Sequence, residues 1–475
     1  MKTKVLLINP NRMKPVVAPL AIDYLSSSLA GNNIDFELLD LAFSGNIETD
    51  IKQGLRGEGF TAMAVTVRNI DDSYFFSQDF CLEKIKEVID LLKIYSVAPI
   101  ILGGVGFSIA PIPVLEYCGV TLGIWGEGEL SLPLLIKALA KSREFDNIPG
   151  VVYKKGDRYR INPPSFIDLQ TIRLSHRNAV NNVRYYQEGG MVGFETKRGC
   201  NQTCYYCADP IAKGKNVRVR NPKDVAAELA GLLNKGISYF HTCDSEFNLL
   251  ESHALEVCQE IVKQQLENKI VWYAYATPSG FSDELAAWMK RAGCRGIDFG
   301  VDSGNERILK ALGRDHTPED IHNVAALCHK HGFSFMFDLL LGSPGEDRKT
   351  LTETLNLMKQ LNPSRVGISL GIRLYPGTYF GKVLRKEARS SRKGSLDDNN
   401  FEMLKPLYYV SPDLGDDIQD YINSLIANDS RFLFGGTEEI DANYNYNDNT
   451  RLITAIKKGH KGAFWDILRR IDEEE

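Results

Sequence analysis

The sequence lacks cysteine after Cys328 and histidine before His176, and both absences limit the chemistry that its two ends can support. A second metal cluster in the C-terminal part would need several cysteines there, and none is present. The N-terminal part cannot offer an imidazole ligand of its own. Nine cysteines in 475 residues, an odd number, do not form a disulfide framework and indicate a reducing compartment. We therefore expect a cytoplasmic protein with at most one cluster.

An excess of basic residues and a long apolar run are also missing. The 56 Lys and Arg residues stand against 61 Asp and Glu residues, so the net charge of −5 gives no sign of a nucleic-acid surface. No run of 18 apolar residues occurs, so we expect no membrane-spanning helix. A strand-like run from Lys4 to Asn9 follows the start directly, so a secretory signal peptide is not expected either.

Three cysteines stand close together at Cys200, Cys204 and Cys207, in the spacing C-x-x-x-C-x-x-C, with Tyr206 before the third. Thiolates at this density suit a soft metal site, and iron–sulfur clusters are held by cysteine thiolates. A zinc site normally pairs two dyads of ligands, and no fourth cysteine or histidine lies nearby. The spacing favours a cluster with one iron left open, and a zinc knuckle or three unrelated core thiols are the alternatives.

Residues 1–140 alternate short apolar runs with helical segments, which predicts an α/β domain with a doubly wound parallel sheet. Ligands of such sheets bind at the carboxyl ends of the strands. Several polar or small residues follow the predicted strands directly: Asn9, Arg68, Asn69, Gly103 and Gly104. These residues are candidates for contact with a ligand.

A second βα series begins near Gly193, with six predicted strands near 192–196, 238–242, 270–276, 296–301, 333–341 and 365–373. Six units fall short of the eight of a complete barrel. We predict a connector over 141–190 with a hairpin near 151–160, a partial (β/α)6 barrel over 191–385, and a mostly helical region over 386–475. That last region is a cap over the barrel mouth or a substrate lid.

These motifs together resemble the radical SAM superfamily, whose three cysteines hold a 4Fe–4S cluster with an open iron that chelates S-adenosylmethionine. The resemblance places Glu246 at the methionyl amine, since an ammonium needs a carboxylate acceptor. It places Asp302 and Ser303, in G-V-D-S-G where the family has glutamate, near the sugar or the amine. It places Gly342, Pro344 and Gly345, in G-S-P-G-E, beside the adenosine. A helix N-cap at 244–246 and ordinary glycine-proline turns are the alternatives.

The first domain resembles cobalamin-binding domains, which usually carry D-x-H-x-x-G with the histidine as lower cobalt ligand. The equivalent segment, 40–45, reads D-L-A-F-S-G, so Ala42 stands where the histidine would be. The resemblance implies bound cobalamin without a protein histidine ligand from this domain. Its contacts are expected from Asn9, Arg68, Asn69, Gly103, Gly104, Gly126 and Glu127. A flavodoxin-like domain that binds nothing is the alternative.

The resemblance as a whole implies a cobalamin-dependent radical SAM enzyme, with methyltransferase as the leading function. A 5′-deoxyadenosyl radical would activate an unactivated carbon, and methylcobalamin would deliver the methyl group. A non-methylating cyclase or rearranging enzyme and a non-enzymatic iron–sulfur protein remain as alternatives. We expect a small-molecule or peptide substrate, an electron donor such as flavodoxin or ferredoxin, and no nucleic acid. The substrate itself is not identified by the sequence.

Overall fold

The computed structural model describes residues 3–56, 59–172, 177–385, 404–435 and 448–474. The predicted α/β fold with a Rossmann-like first domain and a partial barrel is confirmed. Within the predicted C-terminal region 386–475, residues 386–403 and 436–447 lie outside the described residues. Among the helices that are described, none has the length and apolar character needed to cross a membrane.

The first sheet has seven strands in the order β2-β1-β3-β4-β5-β6-β7. These strands are β1 (Lys4–Asn9), β2 (Asp35–Asp40), β3 (Ala62–Thr66), β4 (Ile100–Gly103), β5 (Leu122–Ile124), β6 (Val151–Lys155) and β7 (Arg158–Ile161). The first five run parallel, and the hairpin of β6 and β7 adds two antiparallel strands at one edge. The expected hairpin is therefore present, and it carries the first sheet past residue 140 into the segment that we predict as a connector.

Helices cover both faces of this sheet, because alternate residues of each buried strand point to opposite sides. In β1, Leu6 and Ile8 belong to one apolar core while Val5 and Leu7 belong to the other. The helices are α1 (Leu20–Gly31), α2 (Ile47–Gly54), α3 (Cys81–Tyr95), α4 (Val105–Ile109), α5 (Pro111–Cys118), α6 (Gly128–Ala140) and α7 (Asn182–Gly189).

The second half of the chain contains β8 (Val192–Phe194), β9 (Lys197–Arg198), β10 (Arg218–Val219), β11 (Tyr239–Thr242), β12 (Val271–Ala276), β13 (Cys294–Asp302), β14 (Ser334–Leu341), β15 (Arg365–Leu370), β16 (Ile372–Arg373), β17 (Tyr408–Tyr409) and β18 (Phe432–Leu433). Seven of them form a parallel sheet in the order β8-β11-β12-β13-β14-β15-β18. The first six are the predicted barrel strands, and the short β18 adds a seventh from the C-terminal region. The others form two small antiparallel ladders.

The helices of this half are α8 (Asp209–Lys213), α9 (Pro222–Leu233), α10 (Glu251–Lys263), α11 (Asp283–Arg291), α12 (Glu306–Leu312), α13 (Pro318–His331), α14 (Arg348–Leu361), α15 (Tyr379–Val383), α16 (Ile418–Ile426), α17 (Thr450–Lys457) and α18 (Phe464–Glu474). Polar side chains cap the starts of several of these helices. Asn221 and Ser282 cap α9 and α11 with their side chains, and Thr317 forms a capping box at α13.

The C-terminal helices α17 and α18 close the amino-terminal end of the barrel. Trp465 packs on Tyr273, and a methyl group built on Gly296 would lie 2.7 Å from the Trp465 ring. The Tyr273 hydroxyl donates to Asp466 at 2.8 Å. This end is opposite to the mouth at which we expected a cap or lid. Of the C-terminal region, β17 lies at the mouth, where it pairs with β16.

Candidate active site

The three cysteines lie on a loop between β9 and α8, and two backbone contacts fix this loop to the barrel. The Cys200 amide donates to the Gly214 carbonyl at 3.1 Å, and the Tyr205 amide donates to the Leu312 carbonyl at 2.9 Å. Gly199 has φ +89°, and a Cβ there would lie 2.2 Å from the Asn216 carbonyl oxygen, so this turn requires glycine. The loop is therefore held rigidly beside the strand ends.

The thiols fit an iron–sulfur cluster better than a single ion. Among the described residues, no three His, Cys, Asp or Glu side chains converge on a point where one metal ion could be held. A cluster takes each thiolate on a different iron, so its ligands stand apart. Burial raises the pKa of the Cys200 thiol to about 11 and also raises the pKa of Cys204. Thiols in such surroundings are protonated at neutral pH and lose their protons when metal binds.

A buried network joins the cysteine loop to the end of β13. The Tyr206 hydroxyl donates to Asp302 at 2.6 Å, and Arg314 Nε lies 3.3 Å from the same carboxylate oxygen. Arg314 also donates from Nη1 to Cys204 Sγ at 3.1 Å and from Nη2 to the Gly300 carbonyl. Asp302 has φ +62° at a bulge in β13. The carboxylate that we predicted for a cofactor contact is thus already paired within the protein.

Sequence reasoning missed Arg314. It stands just after α12 and its C-terminal Gly313, where a basic residue is typical of a helix end. Its partner Cys204 is 110 positions away in the chain. No local pattern connects the two residues.

Glu246 lies on the loop that follows β11 and carries an unused acceptor. Its Oε2 is buried without a hydrogen-bond partner among the described residues. Burial raises its pKa to about 8, although the nearby Arg314 guanidinium opposes that rise. Asp244, two residues earlier, accepts from the Thr196 amide at 2.7 Å and the Lys197 amide at 3.2 Å. Asp244 is therefore structural, while Glu246 keeps an acceptor that no described group uses.

The remaining predicted adenosyl contacts lie on two turns at the mouth. Ser303 is fully buried, and its hydroxyl contacts Thr354 Oγ1 at 3.1 Å. Gly342 and Gly345 have φ values of +95° and +76°, and the turn that contains them closes on Glu346. The Glu346 carboxylate accepts from the Gly342 amide at 2.5 Å and the Ser343 amide at 3.1 Å. Pro344 is half-buried and Gly345 is exposed, so the outer side of this turn faces the mouth.

A cavity of about 490 Å³ lies between the first sheet and the barrel. Its lining includes most of the residues predicted to contact cobalamin: Asn9, Arg68, Gly103, Gly104, Gly126 and Glu127. The barrel contributes other parts of the wall, among them Arg198 and Tyr275. A neighbouring cavity of about 370 Å³ shares Arg68 and adds Asn69. The structure thus brings the predicted residues together at the domain boundary.

The glycines leave room in this cavity. A Cβ built on Gly103 would meet no atom closer than 3.8 Å, so the space beside it is open. Gly104 has φ +102°, and a Cβ there would lie 2.6 Å from the Val67 carbonyl oxygen. Ala42, at the position of the missing histidine, is buried, and its carbonyl accepts from Lys14 Nζ at 2.8 Å. The wall beside Gly103 therefore has room for a ligand.

Two of the predicted contacts have their polar atoms occupied by the protein. The Asn9 amide donates to Asp40 and to the Tyr185 hydroxyl, both at 2.9 Å. Glu127 lies 2.7 Å from Arg218 and accepts from the Ile167 amide at 2.8 Å. These side chains connect the first domain to α7 and to the barrel, a function that sequence reasoning did not foresee.

Comparisons with known proteins agree with this geometry. The Radical SAM superfamily model matches residues 194–358. The tryptophan 2-C-methyltransferase of Streptomyces laurentii is 29% identical over 98% of this chain and 95% of that protein. The anaerobic magnesium-protoporphyrin IX monomethyl ester cyclase of Cereibacter sphaeroides is 25% identical over 57% of this chain and 46% of that protein.

Two solved structures also match over most of the chain. The radical S-adenosylmethionine methyltransferase TsrM from Kitasatospora setae, with cobalamin and a [4Fe–4S] cluster bound, has a TM-score of 0.90 and 28% identity over 100% of this chain and 98% of TsrM. The radical enzyme OxsB, with aqua-cobalamin and S-adenosylmethionine bound, has a TM-score of 0.71 and 19% identity over 90% of this chain and 67% of OxsB, a likeness of fold.

Residues 194–358 are therefore similar to the Radical SAM superfamily, as the sequence predicts. The likeness of the chain over its whole length is to the cobalamin-dependent radical SAM methyltransferases that TsrM represents.

Proposed function

We propose that this protein is a cobalamin-dependent radical SAM methyltransferase that methylates a carbon atom of a small molecule. The observation that carries the proposal is the cavity between the first sheet and the barrel, whose glycine-lined wall faces barrel residues next to the cysteine loop. A cofactor in this space would lie within reach of the cluster loop and of a substrate in the barrel. The whole-chain likeness to TsrM supports the same conclusion.

Each cofactor has residues that fit it. Cys200, Cys204 and Cys207 would hold a 4Fe–4S cluster, and the open iron together with Glu246 would bind S-adenosylmethionine. The unpartnered Oε2 of Glu246 supports this assignment, because a buried carboxylate oxygen without a donor is costly unless a ligand supplies one. The turn with Gly342, Pro344 and Gly345 would border the adenosine, with Asp302 and Ser303 behind it.

Cobalamin would lie against Gly103 and Gly104, with Arg68 and Asn69 at its face. Bound together, cobalamin and S-adenosylmethionine supply a transferable methyl group, and the protein supplies position and exclusion of water. The absence of histidine before His176 means that the first domain leaves the cobalt without an imidazole. We infer that cobalamin would bind with neither a protein imidazole nor its own base on cobalt. Spin resonance of the bound cob(II)alamin tests this claim, since nitrogen superhyperfine splitting from an axial base would contradict it.

Tryptophan is the first substrate to test, because the related enzyme of Streptomyces laurentii is a tryptophan 2-C-methyltransferase. We also retain a flavodoxin or ferredoxin as electron donor and the cytoplasm as location, since nine cysteines without a disulfide framework suit a reducing compartment.

The experiment is anaerobic reconstitution with iron, sulfide and cobalamin, followed by incubation with S-adenosylmethionine, reductant and tryptophan. We expect about four irons per chain by the stoichiometry of the cluster, release of S-adenosylhomocysteine, and a methylated product by mass spectrometry. The triple variant with alanine at Cys200, Cys204 and Cys207 should lose the iron. Turnover of substrate without S-adenosylhomocysteine would instead indicate a cyclase or rearranging enzyme.

A further inference from the structure

The inner face of the barrel carries a band of polar side chains on four neighbouring strands. His241 lies on β11, Tyr275 on β12, Asp298 on β13 and Asp338 on β14. Tyr275 is paired in register with Asp298, and Asp338 is paired with Gly300, so these side chains are neighbours across the sheet. The residues between them on the same strands point outward into the core beneath the helices, namely Ala274, Ile297, Phe299, Phe337 and Leu339.

Two carboxyl groups in this band are incompletely bonded. Asp298 is 2% exposed, and its Oδ1 has no hydrogen-bond partner within the described part of the chain. The Oδ1 of Asp338 is also buried without a partner there. The two carboxyls are close neighbours, and after burial the charge of Asp338 adds to the rise in the pKa of Asp298. Burial raises the pKa of both groups, that of Asp338 to about 7, and so the pair retains a shared proton near neutral pH.

The cavity between the domains reaches the neighbouring strands β11 and β12. Tyr275 is 39% exposed although it lies on a central strand, and it lines the cavity of about 490 Å³ together with His241. Asp338 also retains partial exposure inside the barrel. Gly300 lies between the pair and the mouth, and a Cβ there would be in ordinary contact with Arg314 Nη2 at 3.5 Å and Glu246 Oε1 at 3.8 Å.

We propose that the Asp298–Asp338 pair binds the positively charged amino group of the substrate, with Tyr275 and His241 beside the rest of the molecule. An ammonium group has several N–H donors, and two of them can bond to the two unpartnered carboxylate oxygens. When the ammonium binds, the pair releases its shared proton, and the ammonium takes over as the positive charge beside the carboxylates. Hydrogen bonds between ionised groups in a desolvated site are strong and directional. The substrate class is therefore a primary amine that carries an apolar body.

This inference rests on the proposed function, because it concerns the molecule that is methylated in the barrel. The test uses anaerobic, cofactor-loaded protein and three probes: tryptophan, tryptamine, which keeps the amine and lacks the carboxylate, and indole-3-propionate, which lacks the amine. Dissociation constants are measured for the natural sequence and for Asp298→Asn and Asp338→Asn. Asp315→Asn is the matched control, since Asp315 lies exposed on a loop at the barrel mouth and already accepts from Ser279 at 3.0 Å.

We expect Asp298→Asn and Asp338→Asn each to lose at least tenfold in affinity for tryptophan and tryptamine. Their affinity for indole-3-propionate should change less than twofold. Asp315→Asn should behave as the natural sequence. Equal losses for all three probes, or an unaltered protein that does not prefer the amines to indole-3-propionate, would overturn the proposal. Failure of the proposed function has a different signature, namely amine-selective binding without release of S-adenosylhomocysteine.

Discussion

Replacing Arg314 with methionine should make the cluster harder to reduce. Arg314 is buried and donates to Cys204 Sγ at 3.1 Å while its Nε lies 3.3 Å from Asp302. Reduction adds one negative charge to the cluster and its thiolates, and the guanidinium stabilises that charge. Methionine keeps a similar apolar length but removes the positive charge and the donors.

The magnitude follows from the strength of one hydrogen bond to a charged group, about 1.5–3 kcal/mol. For a one-electron couple, a tenfold change in the equilibrium constant corresponds to about 59 mV. The ceiling for the shift is therefore about 60–130 mV. Arg314 also bonds to the oxidised form, so only part of this energy distinguishes the two states. We expect the potential of Arg314→Met to fall by roughly 30–100 mV.

The assay is an anaerobic redox titration followed by spin resonance of the reduced cluster, with iron content measured in parallel. Arg314→Lys retains the charge and should shift the potential by less than half as much. The double variant Arg314→Met with Asp302→Asn removes the carboxylate that the single change leaves unpaired, and it should show the same direction of shift. A potential that is unchanged or higher in Arg314→Met, at full iron content, would refute the reasoning.

Three further predictions concern other parts of the molecule. The buried Arg373 guanidinium lies 2.7 Å from the Asp71 carboxylate, and Asp71→Asn removes this counter-charge. The free energy of unfolding should fall by about 3–5 kcal/mol, and the urea midpoint should fall with it. Glu306→Gln, on the surface of α12, should leave the urea midpoint unchanged. Gly103→Leu should fill the open cavity and weaken cobalamin uptake at least tenfold by absorbance, with an unaltered melting temperature; normal uptake would contradict the placement of cobalamin there. The pKa of Asp338 is raised to about 7, so the folded state holds this proton more tightly than the unfolded chain does. The stability that the bound proton contributes is therefore present at low pH and is lost as pH rises from about 4 to 7. Asp338→Asn should therefore gain stability relative to the natural sequence between pH 5 and pH 8, by at most about 4 kcal/mol, and parallel pH profiles would contradict this.

The sequence by itself determined the features that depend on local pattern. The spacing of Cys200, Cys204 and Cys207 indicates their chemistry because a cluster ligand set of this kind lies within eight residues of chain. Apolar alternation predicts the strands, because each strand buries one or both faces over a few residues. The missing histidine at Ala42 is likewise visible without coordinates. The radical SAM and cobalamin assignments depend on these local patterns, and the likeness to TsrM over the whole chain agrees with both.

Only the tertiary structure decided which polar side chains remain available to ligands. Asn9, Glu127 and Asp302 are predicted contacts, yet each is bonded to a protein partner that is remote in the chain. Glu246 keeps an unused carboxylate oxygen, and Arg314 reaches the cysteine loop from 110 residues away. The pairing of a side chain depends on what the fold brings beside it, and strand register sets that neighbour through contacts that no local pattern encodes. The same holds for Asp298 and Asp338 inside the barrel, because only the pairing of β13 with β14 makes these two carboxyl groups neighbours.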